Sequence, residues 1–165
     1  MKRSICMVMV LWGVVAISTC AFAQVEKDDK QVLRGLDSVH VTLERLQPEI
    51  ERDGLYGNML LSDAEMKLKL AGIKVLSEEE RMQAPYSASL YLRVNALKRR
   101  LGYIYRVELF LVEPVVLIRN KMQRDAMVLE IPAEWGMGRS LTDIREKASD
   151  AVNRFIRAWL DANTR

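Results

Sequence analysis

Ser140–Leu160, with the sequence SLTDIREKASDAVNRFIRAWL, is the stretch that decides the fold. Its apolar side chains recur at the three- and four-residue spacing of an α-helix that buries one face. The positions that this spacing turns inward are Ile144, Ala148, Ala151, Val152, Phe155, Ile156, Trp159 and Leu160. Ser140 and Asp143 stand where a helix N-cap and an acidic first turn belong. We therefore predict a long closing helix that packs against a sheet.

A strand–helix–strand unit is predicted upstream of that helix. The alternating apolar and polar residues of 39–44 predict a half-buried strand, which ends before Pro48. A helix follows, with Gly72 at its C-terminal cap position. Its apolar face consists of Leu61, Ala64, Leu68 and Ala71. Residues 73–76 form the next strand, and the right-handed crossover makes the two strands parallel.

Three further strands are predicted between the crossover and the closing helix. Residues 90–95 alternate between apolar and polar side chains, and 103–118 form a long strand in which we place a bulge at Pro114. The last strand begins at 127–131, and these neighbours form an antiparallel meander. The order β-α-β-β-β-β-α predicts the α+β class. We expect a single two-layer domain, with a mixed sheet and two helices packed on one face.

Residues 1–23 have the three parts of a cleavable secretory signal peptide. Two basic residues open the segment, an uncharged apolar run covers 5–17, and an A-x-A cleavage site ends at Ala23. The apolar run is shorter than the about 18–20 residues that cross a bilayer. We predict cleavage near Ala23 and a periplasmic or secreted mature protein. The alternatives are a lipoprotein modified at Cys20 and an uncleaved anchor.

Cleavage changes the composition of the protein. Cys6 and Cys20, the two cysteines of the chain, lie in the leader, so the mature protein has neither a thiol nor a disulfide. Loss of two basic residues leaves 23 Lys and Arg against 22 Asp and Glu. This near-neutral balance gives no electrostatic footprint for nucleic acid. We predict a flexible lead at 24–31, a single domain at 32–162 and no membrane span in the mature form.

Residue types that carry catalysis are sparse. His40 is the single histidine, and Glu44 on the same strand face lies some 13 Å away at about 3.3 Å per residue. One histidine without a mature cysteine excludes the common zinc patterns. No serine or threonine stands in a G-x-S-x-G pattern. The sequence therefore predicts no metal, no cofactor and no catalytic residue. It favours a non-catalytic protein over a hydrolase that uses His40 as its base.

The candidate ligand-binding residues lie beside the closing helix and around one hairpin. Residues 136–140, GMGRS, open onto a helix N-terminus, whose free N–H groups can hold an anion. Tyrosines surround the basic turn 98–100, an arrangement that suits a glycan, a membrane headgroup layer or a protein partner. The candidate residues are Trp135, Gly136, Gly138, Arg139, Tyr91 and Tyr103. The alternatives are a flexible connection with a helix cap and a solvated turn.

The run from Leu68 to Glu80 places a helix, a glycine and a strand before an acidic stretch, and a meander and a closing helix follow. This layout resembles the small periplasmic α+β domain of the TolB amino-terminal region and of the curli-secretion-channel lipoproteins, over residues 35–161. The resemblance implies action through protein contacts or assembly, and it assigns no functional residue. The chain departs from the lipoprotein members because Thr19 makes a poor lipobox. We predict binding to an envelope protein or self-association. The alternative is binding of a small ligand, an anion or a glycan.

Overall fold

The computed structural model describes residues 30–84 and 86–164, so the predicted leader and most of the predicted lead lie outside the described residues. The described chain starts with a 3₁₀ turn at Lys30–Leu33 and then forms strands and helices. The strands are β1 (Ser38–Leu43), β2 (Lys74–Val75), β3 (Ala88–Arg99), β4 (Gly102–Val116) and β5 (Gln123–Gly138). The helices are α1 (Pro48–Arg52), α2 (Gly57–Leu70), α3 (Glu78–Gln83) and α4 (Leu141–Asn163).

The strands form one mixed sheet in the order β2-β1-β3-β4-β5. β1 pairs in parallel with β2 and with β3, whereas β3, β4 and β5 pair antiparallel as a meander. The parallel β1–β2 pair results from the α2 crossover, because a chain that crosses a sheet on a helix returns in its original direction. The predicted α+β class and the predicted crossover are confirmed.

Helices α2 and α4 cover the same face of the sheet and contact each other there. α2 lies against β1 and β2, and α4 lies against β4 and β5. The side chains of these elements join in one apolar core. Its fully buried members include Val39, Leu90, Leu92, Val107, Leu109, Leu111, Leu60, Leu68, Ile144 and Phe155. The predicted placement of both helices on one face is confirmed.

An ion pair joins the two helices at the edge of this core. Arg145 of α4 donates from Nε and Nη2 to the two carboxylate oxygens of Asp63 in α2, at 2.6 and 2.9 Å. These hydrogen bonds hold the pKa of Asp63 below its ordinary value. Such two-point contacts fix the rotation of one helix against the other more closely than a single bond does.

The end of α4 holds the beginning of the described chain. Trp159 Nε1 donates to the carbonyl oxygen of Leu36 at 2.7 Å, and the Asn163 side chain donates to Leu33 O at 2.8 Å. The side-chain oxygen Oδ1 of Asn163 also accepts from Gly35 N at 2.8 Å. The 3₁₀ turn is therefore fastened at the end of the sheet where β1 begins.

Two details of the predicted strands are wrong. Gly136 and Gly138 belong to β5, which extends to the start of α4 instead of giving way to a loop. Pro114 pairs regularly with Asp125, so it carries no bulge. The irregularities occur between 107 and 109 and between 111 and 112, where β5 advances one residue more than β4. The extra residues belong to β5, which can bend because, among the described residues, β4 alone pairs with it.

Candidate functional site

The sheet face opposite α2 and α4, which we call the open face, is left to solvent over much of its area in the part of the chain that the structure describes. Strand alternation places every second residue of β3, β4 and β5 on this face. Its central side chains are Tyr91, Arg93, Asn95, Leu97, Ile104, Arg106, Glu108, Phe110, Trp135 and Met137. A sheet covered on one side only is typical of antiparallel meanders, but this open face carries several large apolar groups.

The middle of the open face is an ordered row of aromatic and charged groups. Tyr91 stacks on Phe110 with ring centroids 5.4 Å apart, and the Arg93 guanidinium lies 5.3 Å from the centre of the Phe110 ring. Glu108 is only 9 % exposed. It accepts from Arg106 at 2.7 Å and lies 3.7 Å from Arg93. These charges are therefore satisfied within the domain, as a nearly buried carboxylate requires.

One end of the open face carries an exposed apolar cluster, which we call the Trp135 patch: Leu97, Ile104, Trp135 and Met137. Leu97, Ile104 and Met137 are direct neighbours across three strands. Trp135 is 82 % exposed and Met137 is 72 % exposed. Exposed apolar residues that are contiguous, in contrast to scattered ones, are typical of interaction surfaces.

The Trp135 patch reaches the free edge of the sheet. β5 is the outer strand and pairs only with β4 among the described residues. Pro132 and the two register irregularities interrupt the middle of this edge, a device that discourages indiscriminate strand addition. Arg154 of α4 pairs with Glu134 and donates to Pro132 O, so the interrupted part is also tied to the helix layer. The regular edge that remains at 134–138 lies beside the patch.

The N-terminus of α4, which is the predicted anion site, is occupied by a carboxylate of the chain itself. Asp143 accepts from Arg139 N at 2.6 Å and from Ser140 N at 3.2 Å. The Ser140 hydroxyl also donates to Asp143 at 2.9 Å, and Ser140 Oγ accepts from Asp143 N at 3.3 Å. Hydrogen bonds from the Ser140 side chain and then from these amides lower the pKa of Asp143. The predicted N-cap is thus present as a capping box.

The two candidate glycines serve close packing in β5. A Cβ atom on Gly136 would meet Tyr105 Oη at 3.0 Å, and one on Gly138 would meet Asp143 Cβ at 3.1 Å. Tyr105 is itself buried. Both glycines therefore allow the strand to approach its neighbours closely. Ligand binding at Gly136, Gly138 and Arg139 stays a prediction.

The candidate tyrosines lie on different faces of the sheet. Tyr91 is on the open face, whereas Tyr103 is on the helix side and donates its hydroxyl to Asp53 at 2.9 Å. Hydrogen bonds from Lys98 and then from Tyr103 lower the pKa of Asp53. Trp135 shares the open face with Tyr91 but lies two strands and four positions away, about 16 Å. The structure does not bring the six candidate residues together in one concavity.

His40 belongs to β1 and contacts Leu76, which follows β2, and Glu78, the first residue of α3. Its Nδ1 is 3.1 Å from Leu76 O, and its Nε2 is 3.2 Å from the Glu78 carboxylate. Glu44 pairs instead with Arg93. Over 30–84 and 86–164, no group of three or more His, Cys, Asp or Glu side chains is arranged to hold a metal ion. No helix in the same ranges is long and apolar enough to cross a membrane.

Sequence reasoning missed most of the Trp135 patch. Leu97, Ile104 and Met137 were not among the candidate residues, because each looks like an ordinary strand residue. One signal was present: Ile104, Phe110 and other residues of β4 make the strand apolar on both faces. Strands that are buried on both faces have this composition. Because one face of β4 is uncovered, the apolar side chains on that face indicate a surface for contact with a partner.

Comparisons with known proteins assign no family to the chain. No protein-family model matches the chain, and no curated protein matches it. A solved structure of a leucine-to-methionine variant of the PelC dodecamer from Paraburkholderia phytofirmans has 18 % sequence identity and a TM-score of 0.44, and the match covers 76 % of this chain and 89 % of that one. A second PelC dodecamer structure from the same organism has 16 % identity and a TM-score of 0.43, with coverage of 74 % and 87 %. At this level the similarity supports no statement about function or assembly, and the resemblance to the TolB and curli domains stays a prediction.

Proposed function

We propose that this is a non-catalytic exported protein that acts by protein–protein contact, with the Trp135 patch as its contact surface and a second copy of the chain as the occupant. The observation that carries the proposal is the exposure of Trp135 and Met137, at 82 % and 72 %, beside a free strand edge. Export rests on the signal-peptide pattern of residues 1–23.

The residue types of the patch suit a protein contact. Tryptophan, methionine and arginine are enriched at protein interfaces, and tryptophan is prominent among the residues that contribute most binding energy. At 82 % exposure, the Trp135 side chain offers about 200 Å² of contact area. The neighbouring Arg106 is already paired with Glu108. A partner that covers Arg106 would therefore remove water from an ion pair and not from an unpaired charge, which would cost more to bury.

Self-association is the simplest way to cover this surface. Every copy carries the same patch next to the same regular edge at 134–138, and identical surfaces can meet about a two-fold axis. The near-neutral balance of the mature chain, 23 basic against 22 acidic residues, gives little long-range repulsion between copies. The resemblance to the TolB and curli domains implies action through protein contacts or assembly, with which self-association agrees.

The test is the oligomeric state of the processed protein, measured by sedimentation velocity over a range of concentrations. The double substitution Trp135→Ser and Met137→Ser should raise the dissociation constant about 30- to 1000-fold, since loss of a central aromatic contact costs about 2–4 kcal/mol. Leu70→Ser with Met66→Ser on α2 is the matched control, because these side chains are 81 % and 56 % exposed on the opposite layer. The control should associate as the wild type does.

A monomer at every concentration would overturn self-association. A photo-crosslinking residue at position 135, introduced into the chain with its own leader in the native host, then separates contact with another protein from no contact at all. A crosslink to a protein of different mass would support the Trp135 patch as the contact surface, with that protein as the occupant in place of a second copy. The absence of any crosslink at that position would overturn the proposed function.

Glycan binding is the second candidate, and the flat, exposed indole of Trp135 beside Arg106 is the observation that favours it. Aromatic faces stack on sugar rings, and a neighbouring guanidinium donates hydrogen bonds to hydroxyl or carboxylate oxygens. Titration with envelope polysaccharides, followed by isothermal titration calorimetry, should give saturable binding that Trp135→Phe retains in part and Trp135→Ser abolishes. The absence of a binding signal in the wild type would remove this candidate.

A further inference from the structure

The β4–β5 hairpin projects beyond the rest of the sheet. The first β3–β4 pair is Ser89 with Val112, whereas β4 and β5 continue to pair from Glu113 with Ala126 as far as Val116 with Gln123. This two-stranded ribbon ends in a turn, and we call residues 116–124 the tip. The tip lies at the end of the sheet opposite the Trp135 patch, because β4 runs the whole length between them.

The tip turn is built by its own hydrogen bonds. Leu117 N donates to Met122 O at 2.8 Å, and Lys121 N donates to Leu117 O at 2.8 Å. Met122 N donates to the Asn120 side chain at 3.2 Å, and Lys121 takes a left-handed conformation with φ of 58°. These bonds give the turn a defined shape while its side chains point away from the core.

The side chains of the tip combine aliphatic and cationic groups. Ile118 is 88 % exposed, and Val116, Leu117 and Met122 are exposed as well. Arg119, Lys121 and Arg124 are also exposed, and none of them pairs with a carboxylate among the described residues. No acidic residue occurs from 114 to 124. The tip is thus an aliphatic apex with three uncompensated positive charges.

The start of the described chain lies at this same end of the domain. β1 and β3 begin there, since Val39 pairs with Ala88 and Ser89 pairs with Val112. Lys30 and the 3₁₀ turn are fastened to the last turn of α4, and α4 runs back from the far end of β5. The N-terminal end of the described chain is therefore on the side of the tip.

We propose that the tip docks on an anionic phospholipid membrane surface. Charge complementarity selects this occupant: three cations flank an exposed aliphatic apex, which is the arrangement that attaches peripheral proteins to headgroups and acyl chains together. The long Arg and Lys side chains reach phosphates while their methylene stems and Ile118 contact the acyl boundary. The Trp135 patch at the opposite end of β4 stays accessible to a partner, so this proposal does not rest on the proposed function.

The experiment is vesicle flotation of the processed protein, purified after secretion with its own leader. Vesicles of pure phosphatidylcholine are compared with vesicles enriched in phosphatidylglycerol, at low and high salt. We expect binding to the anionic vesicles that high salt weakens, and little binding to the neutral ones. The triple substitution Arg119→Gln, Lys121→Gln and Arg124→Gln should weaken binding about 100-fold, at about fivefold for each cation near an anionic surface.

Matched controls separate the tip from general charge and general hydrophobicity. Arg45→Gln, Arg99→Gln and Arg100→Gln remove the same three charges from exposed positions at the opposite end of the sheet and should change binding by less than about twofold. Ile118→Ser should weaken binding at least about tenfold. Leu70→Ser, at a position that is 81 % exposed on α2, should leave it unchanged.

Two results would overturn the proposal. One is wild-type binding that does not depend on phosphatidylglycerol, which would assign attachment to other parts of the chain. The other is an equal loss of binding in the two triple variants, which would show an effect of net charge alone. Circular dichroism of each variant confirms the fold, and the surface positions of all substituted residues make unfolding unexpected.

Discussion

Substitution of Phe155 by alanine is the sharpest test of the two-layer packing. Its side chain belongs to α4 and is fully buried, where the helix packs against strands β4 and β5 and contacts α2 beside it. Removal of a buried phenyl ring costs about 3–5 kcal/mol, because both the transfer energy and the cavity left behind contribute. A domain of this size has about 5–15 kcal/mol of stability in total. Phe155→Ala should therefore remove at least about a fifth of it.

Urea unfolding followed by far-ultraviolet circular dichroism measures this loss. The midpoint should fall while the dependence of the unfolding free energy on urea stays the same, since the exposed surface of the unfolded chain hardly changes. Phe155→Leu should cost about 1–2 kcal/mol, because it keeps most of the apolar volume. Arg157→Ala on the exposed side of α4 should cost less than about 0.5 kcal/mol. Equal midpoints for Phe155→Ala and Arg157→Ala would refute the placement of the helix.

Two further predictions concern contacts between elements. Asp63→Asn should lower stability near neutral pH by about 0.5–1 kcal/mol. Hydrogen bonds from Arg145 lower the folded-state pKa of Asp63. The stability advantage of the wild type over Asp63→Asn is therefore complete above the ordinary carboxyl pKa of 3.8 and is lost as the pH falls through the folded-state pKa. A difference in urea midpoint between the two proteins that stays constant down to strong acid would contradict the pairing. Trp159→Phe should cost about 1 kcal/mol by leaving Leu36 O without its donor, and hydrogen exchange of residues 31–36 should accelerate more than that of β4.

Local patterns predicted the elements that are decided by neighbours in the chain. The apolar stripe of α4 is buried as expected at Ile144, Ala148 and Phe155. Gly72 has a φ of 90° and follows Ala71, the C-cap of α2, at the position where a helix end favours a left-handed residue. Helix spacing and capping act over a few residues, so they can be recognised without knowledge of the rest of the fold.

Strand boundaries were predicted less well, because pairing over long distances decides them. The stretch that contains Gly136 and Gly138 looks like a loop, yet it continues β5 because Tyr103 and Tyr105 of β4 pair opposite it. Likewise, the register irregularities occur where β5 advances one residue more than β4. Pro114 pairs regularly with Asp125, so the proline does not mark their position. Glycine and proline mark turns only when no neighbouring strand imposes an extended conformation.

The candidate site shows the same division. The sequence by itself determined the order of the five strands and the two long helices, the capping of α4 and the aromatic and basic residues available for contact, because these depend on residue type and local spacing. Only the tertiary structure decided that Tyr91 and Tyr103 lie on opposite faces and that Asp143 occupies the predicted anion position. It also decided that Trp135 joins three apolar neighbours from β3, β4 and β5. The physical reason is register: a shift of one residue between paired strands exchanges the two faces, and register is set by contacts between residues far apart in the chain.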